Sequence, residues 1–142
     1  RMRLDLTVNI LTYSALSKKQ ITVFGGNQIR PTIHISDLCN LYIFFLTINK
    51  KYQGIYNAGF ENKKIIDIAL DVSKVTKSKI IVKKNLIDIR SYRLSSKKLL
   101  DIGFKPNKSI FDAILEMKKL YKEKKLRNKP QFKSITWLKK II

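Results

Sequence analysis

Apolar side chains recur every three or four residues in several stretches of this chain, which is the period of a helix that buries one face. Such stretches predict helices over residues 5–16, 65–76 and 96–102, and a further helix that begins after Ser109. Ser109 with Asp112 three residues later resembles a capping box, in which each side chain bonds the backbone of the other. Gly103 and Pro106 end the preceding helix, because glycine accepts a left-handed backbone and proline cannot continue the hydrogen-bond ladder.

Residues 21–37 predict a strand, a glycine turn, a second strand and the start of a helix. The turn is at Gly25 and Gly26, and the helix begins near Asp37. Residues 80–82 predict another short strand. Helices and strands therefore mix along the chain, and we assign the α/β class.

The run of apolar residues at 38–46 is too short to span a bilayer, which takes about 20 residues, and it predicts a buried helix instead. Cys39, the single cysteine, lies in this run, and we expect it to pack in the core. We expect His34, the single histidine, to be buried or half-buried beside Asp37. No second His or Cys lies near enough in sequence to indicate a metal site.

The formal net charge of +20 and a pI near 10.2 are typical of proteins that bind nucleic acids. The lysines, however, are spread over every predicted solvent face, and most aromatic residues fall on predicted buried stripes. We therefore expect non-specific binding at low salt and no specific nucleic-acid partner. A non-catalytic basic module that binds nucleic acid or an anionic surface remains the alternative function.

Basic residues concentrate only near the C-terminus, where residues 118–133 hold eight Lys or Arg and one Glu. Beyond them, Trp137, Leu138 and residues 141–142 flank Lys139 and a further lysine. An amphipathic basic segment with a Trp could rest weakly on an anionic membrane surface. A solvated extension that packs its Trp on the domain is the commoner arrangement.

Arg30 follows the glycine turn and lies between apolar residues. A planar guanidinium with five donors beside a sheet edge suits the recognition of a phosphate. The segment also resembles a motif of the sugar-nucleotide epimerases and dehydratases, members of the extended short-chain dehydrogenase/reductase family. The matching positions are Gly26, Arg30, Ile33, His34, Ile35 and Asp37.

Four more segments resemble the same family in the same order: residues 1–9, 54–59, 88–93 and 95–106. The resemblance spans about residues 1–120. It implies the C-terminal part of such an enzyme, made of the last elements of a Rossmann-type sheet (residues 33–59, with a strand at 54–59) and the smaller substrate-binding domain. Residues 121–142 would be a basic C-terminal extension.

The resemblance implies a nucleoside-diphosphate sugar as the partner. Arg30 and Arg90 would hold its diphosphate, while Asp5, Leu6 and Asn9 would line its nucleotide end. Two positions depart from the family pattern, since Pro31 stands where many members have an acidic residue and Thr32 where a large apolar residue is common. These departures affect the local strand geometry and leave the substrate subclass open.

Two family motifs are missing from this sequence. There is no Gly-x-x-Gly-x-x-Gly turn for NAD, and Tyr121 with Lys125 matches the catalytic Tyr-x-x-x-Lys pattern only by chance in a lysine-rich segment. The chain also starts at Arg1, within what the family would have as a strand-to-helix passage. We therefore expect a C-terminal half without catalytic residues, inactive alone.

By the resemblance, the full-length parent would be a cytoplasmic, homodimeric, NAD-dependent epimerase or dehydratase of polysaccharide biosynthesis. Its hydride chemistry would use NAD bound mainly by the missing N-terminal half. A fragment, a gene interrupted upstream and one half of a two-chain assembly all fit the sequence.

Overall fold

The computed structural model describes residues 2–84 and 89–139, which form a small α/β domain. The helices are α1 (Thr7–Lys18), α2 (Ile35–Thr47), α3 (Ile65–Thr76), α4 (Lys97–Asp101), α5 (Ile110–Lys122) and α6 (Ser134–Leu138). The strands are β1 (Gln20–Phe24), β2 (Ile29–Thr32), β3 (Glu61–Lys64) and β4 (Lys79–Lys83). Every predicted helix is present, and so are the predicted strands around the glycine turn and at residues 80–82.

The four strands form two separate pairs. β1 and β4 are parallel, with Ile21 opposite Ile80. β2 and β3 are antiparallel, with Arg30 opposite Lys63. Since parallel neighbours need a long crossover, the chain between β1 and β4 has room for the second pair and for two helices.

The main core lies where α1, α3 and α5 pack together and against β1. Its fully or almost fully buried members include Ala15, Ile21, Ile68, Val72 and Ile114. With Leu11 and Ile110, the core residues of each of these three helices are four positions apart, so one face of each helix supplies the core. A second cluster, Leu41, Leu99 and Phe104, joins α2 to α4 with the partly buried rings of Phe44, Phe45 and Phe60 around it.

The predicted strand at residues 54–59 is not a strand in this structure. A strand requires a hydrogen-bonded neighbouring strand, and within the described part of the chain none pairs with this segment. The segment is instead fastened by Ser96, whose hydroxyl accepts from the Gly59 N–H at 2.9 Å and donates to the Gly59 carbonyl at 3.0 Å.

The expectation that Cys39 packs in the core is wrong, because its side chain is exposed. Cys39 lies on the outer face of α2 with four large apolar residues at helical spacing. We call this the α2 stripe: Ile35, Cys39, Tyr42, Ile43 and Leu46. Leu46 is 85% exposed and Tyr42 is 68% exposed. The opposite face of α2 meets the core through Leu41, with Leu38, Phe44 and Phe45 partly buried around it.

The segment after α5 folds back onto the beginning of the chain. The Leu4 N–H donates to the Phe132 carbonyl at 2.8 Å, and the Ser134 N–H donates to an Asp5 carboxylate oxygen at 2.9 Å. Leu126 is buried with Leu4 against α5. Residues 126–134 are thus packed on the domain, whereas residues 140–142, including both terminal isoleucines, lie outside the described residues.

No helix in residues 2–84 and 89–139 is both long and apolar enough to cross a bilayer.

Candidate functional site

The two candidate arginines lie just beyond the carboxyl ends of the parallel strands. β1 leads through Gly25 and Gly26 into β2, which carries Arg30, and the chain beyond β4 leads to Arg90. The carboxyl ends of parallel strands meet at one edge of a sheet, where open α/β sheets commonly bind ligands. Asp88, which belongs to the same motif as Arg90, lies outside the described residues.

Hydrogen bonds from both backbone and side-chain groups hold the segment of Arg90 directly beside β2. The Ile29 N–H donates to the Ser91 hydroxyl at 3.0 Å, and the Tyr92 N–H donates to the Ile29 carbonyl at 3.3 Å. A guanidinium nitrogen of Arg30 donates to the carbonyl of Arg90, and the guanidinium carbon lies 5.4 Å from the centre of the Tyr92 ring. Two residues 60 positions apart in sequence are therefore neighbours in space.

Pro31 does not disturb β2. Backbone groups alternate between the two sides of an antiparallel strand, and those of Ile29 point toward Ser91 and Tyr92, away from β3. Pro31 lies two residues further on and therefore shares that side, where its missing N–H breaks no bond to β3. Thr32 fits the pairing as well, since its hydroxyl donates to the Glu61 carbonyl at 3.2 Å.

The glycine turn serves the fold rather than an anion. The Gly25 N–H donates to the Lys83 carbonyl at 3.0 Å, and the Gly26 N–H donates to the Gln28 side-chain oxygen at 2.6 Å. Gln28 in turn donates to the Phe24 carbonyl at 2.7 Å. Both turn N–H groups therefore already have acceptors within the chain.

Asp5, Leu6 and Asn9 lie at the start of α1. The Arg3 guanidinium bonds Asp5 at 2.7 and 3.1 Å and holds the pKa of that carboxyl well below its usual range. Asn9 donates to the Arg3 carbonyl at 2.8 Å. Leu6 is half exposed. Since β1 runs back along α1 after the turn at Lys19, this end of α1 faces the same edge as the glycine turn.

His34 and Asp37, at the start of α2, connect this helix to α5 and to the segment that precedes α5. His34 is buried, as expected, and caps α2 by accepting from the Ser36 N–H at 3.2 Å. Its other ring nitrogen lies 3.3 Å from Glu116, so its partner is on α5 and not the expected Asp37. The Asp37 carboxylate is fully buried and accepts from the backbone N–H groups of Asn107 and Lys108.

Lys63 lies opposite Arg30, and no pattern in the sequence indicates its place in the site. Its ammonium pairs with Glu61 at 3.2 Å and with Asp71 on α3 at 2.9 Å. Partial burial lowers the pKa of Lys63, but the bonds to Asp71 and Glu61 outweigh that effect and raise it. The carboxylates of Glu61 and Asp71 thus offset the positive charge of Lys63. Lys63 lies beside Arg30 because β3 pairs with β2.

Tyr121 and Lys125 lie on either side of the C-terminal end of α5. α5 ends at Lys122, so the two side chains do not share a helix face, and Lys125 pairs with Glu123 at 2.7 Å. Within the described residues there is also no group of three or more His, Cys, Asp or Glu side chains that could hold a metal ion.

No known family model matches this sequence. Among solved structures, the chain is similar to MoeE5 in complex with UDP-glucuronic acid and NAD (TM-score 0.71, 16% identity, 86% of this chain and 43% of MoeE5). It is also similar to UDP-glucuronic acid 4-epimerase from Bacillus cereus in complex with UDP-glucuronic acid and NAD (TM-score 0.68, 24% identity, 87% of this chain and 41% of the epimerase).

A third similar structure is L-threonine dehydrogenase from Phytophthora infestans (TM-score 0.69, 12% identity, 83% of this chain and 41% of the dehydrogenase). The chain spans about two-fifths of the length of these proteins. The domain therefore resembles part of the fold of NAD-dependent sugar epimerases and dehydratases, the extended short-chain dehydrogenase/reductases. The threonine dehydrogenase shows that the fold also occurs with a different substrate, so function must be argued from the site.

Proposed function

We propose that this chain is the C-terminal, substrate-binding part of an NAD-dependent epimerase or dehydratase that acts on a nucleoside-diphosphate sugar. Arg30 and Arg90 hold the diphosphate, and Asp5, Leu6 and Asn9 line the nucleotide end. The observation that carries the proposal is the pairing of the Arg90 segment with β2, which places two guanidinium-bearing residues side by side at the carboxyl edge of β1 and β4. Arginines on two neighbouring segments can supply the charge and the planar N–H donors that the acceptor oxygens of a diphosphate require.

The proposed boundaries follow from the same resemblance. Residues 1–120 form the substrate-binding portion, residues 33–59 complete a Rossmann-type domain, and residues 121–142 extend beyond it. The α2 stripe supports this arrangement, because its large apolar residues are more than half exposed on one helix face. In a protein with a Rossmann-type sheet beside α2, this face would be covered.

The described residues do not fit NAD. The cofactor's pyrophosphate requires a glycine-rich turn that leads from a strand into a helix. The turn at Gly25 and Gly26 leads instead into β2, and both of its N–H groups are bonded within the chain. NAD would therefore be bound outside these residues, and the role of this chain is to hold and orient the sugar nucleotide.

Binding of UDP-glucuronic acid to the full-length protein tests the role of Arg30. Replacing Arg30 with alanine removes a charged partner from a phosphate oxygen, and we expect a loss of about 2 kcal/mol, roughly 30-fold in Kd, by isothermal titration calorimetry. Arg30→Lys keeps the positive charge but lacks the planar guanidinium with its several N–H donors. We therefore expect its loss of affinity to be smaller than that of Arg30→Ala, but not zero.

Arg93→Ala is the matched control, since it removes the same charge from an exposed side chain three residues after Arg90. It should leave the affinity within about twofold, as expected of an exposed charge that binds no ligand. Equal affinities of the wild type, Arg30→Ala and Arg93→Ala for UDP-glucuronic acid would contradict the assignment of Arg30.

A further inference from the structure

An open cleft of about 840 Å³ lies between the C-terminal ends of α1 and α5. Leu16 and Leu126 contribute an apolar floor, and Tyr13 and Tyr121 line it with rings that meet edge to face, their centres 6.2 Å apart. The cleft is far from the candidate arginines. Lys19 and Thr76, which line it, precede the amino ends of β1 and β4, whereas the arginines follow the carboxyl ends.

The side chains around this cleft carry only positive charge. Five cations line it and no acidic residue does: Lys19, Lys118, Lys122, Lys124 and Arg127. Lys118 donates to the Val75 carbonyl at 2.7 Å. Within residues 2–84 and 89–139, the side chains of Lys19, Lys122 and Lys124 form no ion pair. Glu123 lies between Lys122 and Lys124 in the sequence, but it pairs with Lys125, which does not line the cleft.

Two of these lysines occupy backbone positions that favour glycine. Lys19 has φ +56° and Lys124 has φ +57°, both in the left-handed region. Replacing either residue with glycine therefore removes a charge from the cleft without straining the backbone. Lys77 has the same conformation, φ +59°, and does not line the cleft, so it offers a matched control.

We propose that this cleft binds single-stranded nucleic acid without sequence preference. Five cations, from Lys19 and from residues 118–127, suit a chain of phosphates better than a single anion, and the basic residues continue from the cleft along residues 124–133. The half-buried rings of Tyr13 and Tyr121 offer aromatic groups on which a base can stack. A lipid headgroup would use the charges and leave the rings without a role.

The proposal is tested by measuring the Kd of the protein for a labelled twelve-nucleotide oligo-dT by fluorescence anisotropy. For Lys19→Gly/Lys124→Gly, we expect a roughly tenfold weaker Kd at about 50 mM salt. The slope of log K against log salt should also become shallower by about 1.4, because each lost contact to a single strand contributes about 0.7. Lys122→Gln, an exposed helical position in the cleft, should weaken binding in the same direction.

The control variant Lys77→Gly/Lys105→Ala also removes two positive charges, but from exposed positions that do not line the cleft. It should change the Kd by less than threefold, and thermal unfolding should show that both double variants fold. Equal losses in the two double variants would mean that diffuse charge binds the strand, which overturns the proposal. Binding to phosphatidylserine vesicles with no binding to oligo-dT would overturn it as well.

Discussion

Gly26 has a backbone angle of φ +113°, which an L side chain rarely adopts, and the space beside it is already occupied. A Cβ atom at this position would lie 3.2 Å from the Cβ of Ile66 and 3.3 Å from a methyl group of Val23. The turn that carries the chain from β1 to Arg30 therefore requires glycine for two independent reasons, its conformation and its contacts.

Gly26→Ala should destabilise the protein by about 1–3 kcal/mol through backbone strain, with a further loss from the contact with Ile66. Gly103→Ala separates the two effects, because Gly103 also has a positive φ, +99°, but a Cβ atom there would have no neighbour within 4 Å. Urea unfolding should show the larger loss for Gly26→Ala. Equal losses in the free energy of unfolding would mean that the contact with Ile66 does not contribute to the destabilisation.

The elements of this fold differ in how far the sequence reveals them. Ser109 and Asp112 predict the start of α5, and the structure contains the full capping box. Local rules suffice here because the bonds join residues three apart. The bonds from Asn107 and Lys108 to Asp37 join residues 70 and 71 positions apart, so no local pattern indicates them. The same holds for Lys63, which lies opposite Arg30 only because β3 pairs with β2.

Ser109→Ala should destabilise the protein by about 1 kcal/mol, since it removes the hydroxyl that caps α5. The bond from Ser109 also holds the pKa of Asp112 below its ordinary value of 3.8. A depressed pKa in the folded state stabilises the fold above pH 3.8, and this contribution is lost as the pH falls through the lowered value. Urea unfolding of the wild type and Ser109→Ala should therefore differ most at neutral pH and converge in acid; a constant difference would contradict the assigned role of Asp112.

The outer face of α2 shows that a sequence pattern can predict which residues share a helix face, but not whether that face is covered. The spacing of Ile35, Cys39, Tyr42 and Leu46 correctly places them on one helix face, but spacing does not tell whether another element covers that face. For this reason the apolar pattern predicts Cys39 in the core, although it is exposed. The Arg90 segment lies beside β2 through bonds between residues 60 and 62 positions apart, which no local pattern indicates.

The α2 stripe gives a prediction for the full-length protein. If a Rossmann-type sheet covers this face, Leu46→Asp places a charge in a buried interface and should lower the free energy of unfolding by more than about 2 kcal/mol. Leu70→Asp is the control, at a position that is 54% exposed on α3. Thermal unfolding should show a much larger decrease in Tm for Leu46→Asp, and similar decreases for both variants would contradict the proposed packing.

We propose that Arg30 and Arg90 together hold the diphosphate of a sugar nucleotide. A crystal structure of the full-length protein with UDP-glucuronic acid would give the distances from the phosphate oxygens to the two guanidinium groups. We predict that both groups lie within hydrogen-bond distance, about 3 Å, of the diphosphate. A nucleotide bound with its diphosphate away from both arginines would contradict the account.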